Sequence, residues 1–196
     1  MLIRYLSQGH QATLERFKRD LLKVFLILLA IGIPGNTIAQ SESELKEMQV
    51  KAAYLYNFTK FIYWKHQDGA GEQATITLGL VSADRIAGMI EEYTKLTPQK
   101  PAIIIKRITA IDDELTSCQL LYIDQSGMDK LPAIFEKINR SPVITVSDVN
   151  GFADRGGMIG FYLEDGRIKI EINLSQVNQS GMEISAKLKE VARIIR

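Results

Sequence analysis

The chain has 196 residues, 46% hydrophobic and 24% charged, and its 24 basic and 23 acidic side chains leave a net charge of +1. That content suffices to bury the core of one domain, and a near-neutral balance with no basic cluster gives no electrostatic footprint for nucleic acid. The single cysteine, Cys118, rules out an internal disulfide, so packing alone must hold the fold.

The first forty residues differ from the rest. Arg4, Arg16, Lys18, Arg19 and Lys23 precede an apolar block, Val24 to Ile33, then Pro34, Gly35 and the small-residue site Thr37-Ile38-Ala39. This is the order of a secretory signal peptide cut after Ala39. The apolar block of about ten residues falls well short of the roughly twenty that span a bilayer, which argues against a permanent anchor. The expected organisation is a leader, 1–39, and one exported domain, 40–196. Cleavage would remove five of the 24 basic and two of the 23 acidic residues, leaving 19 against 21 and a charge near −2.

Ser41 or Ser43 is placed to cap a helix that carries Glu44 and Glu47 in its first turn and runs to about Trp64. Met48, Ala52, Leu55 and Ile62 repeat at helical spacing, while Tyr54, Tyr56, Phe58, Phe61 and Trp64 make the helix apolar on more than one side. Two readings follow: the helix is sandwiched within its own domain, or its outer aromatic face meets another protein. A polar linker, Gln67 to Ala74, leads to the strand Thr75 to Val81. After it come a helix from about Ala83 to Tyr93, a strand from Ala102 to Ile108, a short acidic helix near Asp112 to Leu115 and a strand from Gln119 to Ile123. A helix from Met128 to Ile138 then leads to the buried strand Pro142 to Ser147.

A glycine loop with Gly151, Gly156 and Gly157 follows, then the strands Met158 to Leu163 and Arg167 to Leu174 around the turn pair Asp165-Gly166. In the second strand Ile168, Ile170, Ile172 and Leu174 alternate with Arg167, Lys169, Glu171 and Asn173, one set facing inward and the other solvent. A final helix, Ser185 to Ile195, carries Leu188, Val191, Ala192 and Ile195 on one stripe. The alternation of strands and helices predicts an α/β three-layer sandwich: a mostly parallel sheet, helices on both faces, and the C-terminal antiparallel hairpin as an edge.

The search for chemistry excludes more than it finds. His66 alone makes no transition-metal site, and Cys118, at the start of an apolar strand with no histidine near it in sequence, reads as a buried thiol. The glycines at 156, 157 and 160 lead into a strand rather than opening a helix, and no Gly-Lys-Ser/Thr follows, so they are no phosphate loop. Glu164 and Asp165 sit at a turn that solvation explains. Asp148 and Asp154 flank the glycine loop beside Arg155, as loop-capping residues do. No catalytic set, metal or cofactor is expected. The expected carboxyl ends of the parallel strands carry Ser82-Ala83-Asp84, Asp124-Gln125-Ser126 and Ser147-Asp148. These are good helix caps, and they also stand where doubly wound sheets bind small ligands, so an exported small-ligand receptor is the alternative function.

Four separated blocks, KAAYLYNFTKFIYW (51–64), SCQLLYI (117–123), PVITVSDVNGFADRGGMIGFYLEDGRIKIEINL (142–174) and the tail SGMEISAKLKEVARIIR (180–196), resemble the YfiR/HmsC-like family of exported bacterial proteins. The resemblance implies a periplasmic, non-enzymatic α/β domain that dimerises. It further implies a repressor that binds the periplasmic domain of an inner-membrane diguanylate cyclase or sensor, lowering cyclic-di-GMP output and biofilm formation. YfiR-type members carry disulfides, whereas here Cys118 has no internal partner, which leaves only an intermolecular bond open. The hairpin and its loop are the expected partner-facing surface, with Phe161, Glu171 and Asn173 as contacts. Phe161 reads equally well as core.

Overall fold

The computed structural model describes residues 35–63, 75–97 and 102–195. His66, Trp64 and the leader before Gly35 lie outside them. The chain divides into two compact units, residues 1–43 and 44–196. Of the first, only the opening of helix α1 is described. That helix, Gly35–Phe61, begins upstream of Ser41 and Ser43, so neither serine caps it.

In chain order there follow β1 (Ile62–Tyr63), β2 (Thr75–Val81), α2 (Asp84–Leu96), β3 (Ala102–Ile108) and β4 (Leu120–Ile123). Next come α3 (Leu131–Lys137), β5 (Ile144–Ser147), β6 (Ile159–Glu164) and β7 (Arg167–Asn173). The chain closes with α4 (Leu174–Gln179), β8 (Glu183–Ile184), α5 (Ala186–Glu190) and β9 (Arg193–Ile195). Short 3-10 turns precede β4 and α3. Seven strands form one sheet in the order β3-β2-β4-β5-β6-β7-β9, and β1 pairs with β8 in a separate two-stranded ribbon.

From β3 through β6 all neighbours are parallel, and β6 and β7 form the antiparallel hairpin. Asp165 and Gly166 take φ of 50° and 70°, the left-handed pair that a two-residue turn requires. The mostly parallel sheet with helices and a C-terminal hairpin matches the sequence expectation.

Strand periodicity makes the two cores. Every residue of β4 and β5 is buried, as central strands covered on both faces demand. Leu120, Tyr122, Ile144 and Val146 point into one core, with Leu55 and Phe58 of α1, Ile86 and Ile90 of α2, and Leu188 of α5. Leu121 and Ile123 point into the other, with Leu131 and Ile134 of α3, Leu115, Cys118 and Phe152. Each such fully buried aliphatic side chain contributes about 1.5–3 kcal/mol, so truncating Ile134 or Leu55 alone would cost an appreciable share of the fold's stability.

Helix α1 buries Ala52, Leu55 and Phe58 along one stripe that Ile62 of β1 continues, and its further aromatics also find partners within the domain. Tyr54 packs 5.8 Å from Phe58 and from Phe161, and Tyr56 packs 5.7 Å from Tyr93. These contacts favour the sandwiched reading of this helix over an outward aromatic face.

The tail departs from expectation. Instead of one helix from Ser185 to Ile195, α5 stops at Glu190, and Arg193–Ile195 pairs in parallel with β7. Val191, expected on the buried stripe, is 62% exposed. The β-branched Ile194 and Ile195 suit a strand, and the open side of β7 offers backbone partners that a continued helix would leave unused. The hairpin is therefore covered by β9 rather than forming the sheet edge.

Candidate functional site

The loops that follow β2, β4 and β5 converge. Ser82 and Asp84, Asp124 and Ser126, and Asp148 line one cavity of about 510 Å³ with Glu44, Glu47, Met48 and Lys51 of α1. The convergence follows from topology: parallel neighbours end on the same side of the sheet, and their connecting loops must meet there. Asp124 caps the turn after β4 by accepting from the Ser126 amide at 3.0 Å and its hydroxyl at 2.9 Å. Ser82 takes a φ of 55°, a left-handed conformation uncommon for serine. Its carbonyl accepts from Ser126 Oγ and its hydroxyl from Lys130 Nζ, each at 3.1 Å. Ser147, by contrast, is buried and structural, donating to the Ile123 carbonyl at 2.6 Å and accepting from the Val149 amide at 3.0 Å.

Lys51 is the group that sequence reasoning missed. Its residue is 8% exposed, and its ammonium lies 2.6 Å from Glu47 Oε1 and 2.7 Å from Asp148 Oδ2. Burial disfavours the charge, but the hydrogen bonds and charges of Asp148 and Glu47 outweigh it and raise the lysine pKa. Tyr122 is driven the same way, first by burial and then by the nearby Asp148 charge, so its phenol stays protonated far into the alkaline range. Asp148 Oδ1 is the one buried side-chain oxygen among the described residues with no hydrogen-bond partner. Within an otherwise apolar stretch, the lone Lys51 on the Met48–Leu55 stripe was the available signal; its partner lies 97 residues away.

Lys51, Glu47 and Asp148 also line a second cleft of about 470 Å³, on the hairpin side, together with Phe161, Tyr162, Leu163, Ile168 and Arg193. Here two of the expected contact residues, Glu171 and Asn173, take other positions than alternation predicts, and Phe161 takes the core one of its two readings. Phe161 is 4% exposed and packs among Tyr54, Phe58 and Tyr122. Glu171 is 4% exposed: its carboxylate pairs with the Arg193 guanidinium and lies over Gly160, where an added Cβ would stand 2.9 Å from Glu171 Oε1. Asn173 caps α4 by accepting from the Gln176 amide at 3.1 Å and ties down the glycine loop by donating to the Ala153 carbonyl at 2.9 Å. Phe161 thus takes its core reading, while Glu171 and Asn173 do not stand outward as alternation implied, because β9 covers the β7 edge and Arg193 supplies the charge that lets Glu171 be buried. The accessible groups lining this cleft include Leu163, 64% exposed, and, on the other face of β6, Tyr162, on which Arg193 stacks at 4.1 Å.

The remaining candidates are spread out. Asp154 and Arg155 are exposed, Arg155 donating to the Asn150 carbonyl at 3.3 Å, and Glu164 and Asp165 lie at the exposed hairpin turn. Cys118 is buried, its Sγ 3.4 Å from the Glu114 carbonyl, and burial raises its pKa. An intermolecular disulfide would therefore require the fold to open. Among the described residues no group of three or more His, Cys, Asp or Glu is placed to hold a metal ion. No described helix is long and apolar enough to cross a membrane.

The fold is shared with solved structures of low sequence identity. A domain from Streptococcus pneumoniae, described as an ABC domain in complex with L-Trp, superposes with a TM-score of 0.51 at 11% identity, over 76% of this chain and 60% of that one. A conserved domain protein from Vibrio cholerae O1 biovar El Tor gives a TM-score of 0.50 at 11% identity, again over 76% and 60%. This chain thus spans about three fifths of each, and the likeness establishes the fold alone. No curated protein matches the chain. The family model described as YfiR/HmsC-like matches residues 48–193, from the turn of α1 that carries Lys51 to the first residue of β9, and the chain therefore belongs to the YfiR/HmsC-like family, whose members are periplasmic regulators acting through protein–protein contact.

Proposed function

We propose that this chain represses an inner-membrane diguanylate cyclase or sensor by binding its periplasmic domain, and so lowers cyclic-di-GMP output and biofilm formation. It acts by binding rather than catalysis, after export by its leader and as a homodimer. The observation that carries this reading is the hairpin face. Leu163 and the Tyr162–Arg193 stack, on opposite faces of β6, both line the hairpin-side cleft, and together they supply apolar and aromatic groups with an arginine, the composition of an interface core. Phe161, Glu171 and Asn173 serve that surface from beneath. Phe161 anchors β6 in the core, Glu171 fixes Arg193, and Asn173 holds the end of β7 to the glycine loop.

Affinity capture tests this reading: the tagged chain is expressed with its own leader, crosslinked in intact cells, and its partners are identified by mass spectrometry. Enrichment of an inner-membrane protein with a periplasmic sensor and a cyclase domain, together with raised cyclic-di-GMP in cells lacking the chain, is the expected outcome. Recovery of the chain with only itself, and unchanged cyclic-di-GMP, overturns it.

A further inference from the structure

We infer, on the basis of that repressor reading, that the membrane partner adds an extended segment as a strand along the open part of the β7 edge, residues 167–169. The segment alternates apolar with acidic residues. β9 covers β7 only at Glu171, Ile172 and Asn173. Ahead of that contact, residues 167–170 have β6 on one side and no described strand on the other. The hairpin turn decides which backbone groups face the open side. Around a two-residue turn the flanking pair, here Glu164 and Arg167, exchanges backbone hydrogen bonds. Odd-numbered residues of β7 therefore bond toward β6, as the Asn173 amide does in donating to the Met158 carbonyl at 2.8 Å. Ile168 is left with its N–H and C=O turned to the open edge, which is a template for another strand.

The side chains on the two faces define what that strand carries. On one face Ile168, half-buried, stands across from Leu163, and both line the hairpin-side cleft. On the other face stand Arg167 and Lys169, with Tyr162 across from Lys169. Neither cation forms an ion pair among the described residues: Glu164 lies across from Arg167 without pairing, Asp165 sits in the turn, and Glu171 is taken by Arg193. The basic residues of β3, at the far end of the sheet, are by contrast held by their own chain, Lys106 by Glu114 at 3.4 Å and Arg107 by Glu91 at 3.0 Å. Two uncompensated cations repel a second basic edge, this chain's own included, and match carboxylates on an incoming strand. An apolar residue between those carboxylates then packs beside Ile168 and Leu163, so the added strand is continuous with the hairpin-side cleft.

Photo-crosslinking in living cells, with the full chain carrying a photoreactive residue at position 163, tests this. Ile168→Pro removes the outward N–H and leaves the ladder to β6 whole, as proline on a strand edge does. It is expected to lower the yield of the membrane-protein adduct about tenfold or more, while Ile168→Val keeps the yield. Arg167→Glu combined with Lys169→Glu is expected to lower it about tenfold or more with the thermal midpoint unmoved. Sequencing of the crosslinked partner peptide is expected to show Asp or Glu alternating with apolar residues. If Ile168→Pro lowers the thermal midpoint, the charge-reversed chain and the peptide sequence decide. An undiminished adduct in the charge-reversed chain, a basic or helically patterned partner peptide, or an adduct only between two copies of this chain overturns the added strand. A membrane adduct that the edge variants leave unchanged overturns the added strand alone, whereas no membrane adduct from the unaltered edge overturns the repressor reading with it.

Discussion

Replacing Lys51 by methionine removes one charge from the centre of the site while keeping most of the stem that packs against α1's neighbours. Glu47, 40% exposed, can turn toward water and loses little. Asp148 cannot: its side chain is 13% exposed, its Oδ1 already lacks a partner, and Oδ2 would lose the 2.7 Å bond. Breaking a fully buried ion pair from one side costs about 3–5 kcal/mol, and the residual solvent contact of Asp148 brings the expectation to about 2–3 kcal/mol. Urea unfolding followed by far-UV circular dichroism would read this as a midpoint lower by about 1 M at unchanged slope. Asp148→Asn in the Lys51→Met background removes the stranded charge. The double variant is therefore expected to recover about half of the loss, about 1–1.5 kcal/mol. A Lys51→Met loss below about 0.5 kcal/mol, or no recovery in the double variant, would refute the idea that this pair links α1 to the loop after β5.

Four further outcomes are expected. Glu171→Lys places a second cation against Arg193 in a buried position, so the thermal midpoint should fall by several degrees, about 2 kcal/mol or more; an unchanged midpoint would return Glu171 to the surface. Gly79→Ala puts a methyl 2.7 Å from Cys118 Sγ and 2.8 Å from Leu121 Cδ1 in the middle of β2, a cost of about 1–3 kcal/mol that Cys118→Ala should partly relieve in urea titrations. Phe161→Ala should cost about 3–5 kcal/mol by leaving a hole among Tyr54, Phe58 and Tyr122, seen as a lower urea midpoint. The raised pKa values of Lys51 and Tyr122 mean that both groups hold their protons more tightly folded than unfolded. Their stabilisation is complete below about pH 10 and drains as pH climbs toward the folded values; stability that stays level from pH 7 to 11 would contradict this.

Much of the sheet was legible because its strands are β-branched runs bounded by polar turns. The bounds of β2 and β3 fall where the sequence put them, and Asp165-Gly166 announced the hairpin. The three polar loops at the strand ends were also found, and the fold brings them to one cavity. What failed depended on elements distant in sequence. Alternation along β7 placed Glu171 opposite Ile170 and Ile172 and hence toward water. It could not show that Arg193, 22 residues later, would arrive in a ninth strand to neutralise it. The tail misled because Leu188, Val191, Ala192 and Ile195 share a helical stripe, and only the open side of β7 favours strand over helix there. Lys51 escaped notice for the same reason as Arg193: a buried charge is recognised by its partner, and the partner is remote.

The central claim is that the hairpin face meets a membrane partner, and site-specific photo-crosslinking in living cells tests it most directly. A photoreactive residue at Leu163, 64% exposed on the hairpin, is compared with one at Ile104, 50% exposed on β3 at the opposite end of the sheet. An adduct with an inner-membrane cyclase or sensor from position 163 and not from position 104 is the predicted result. No adduct with a membrane protein at 163, or the same adducts from both positions, would contradict the account.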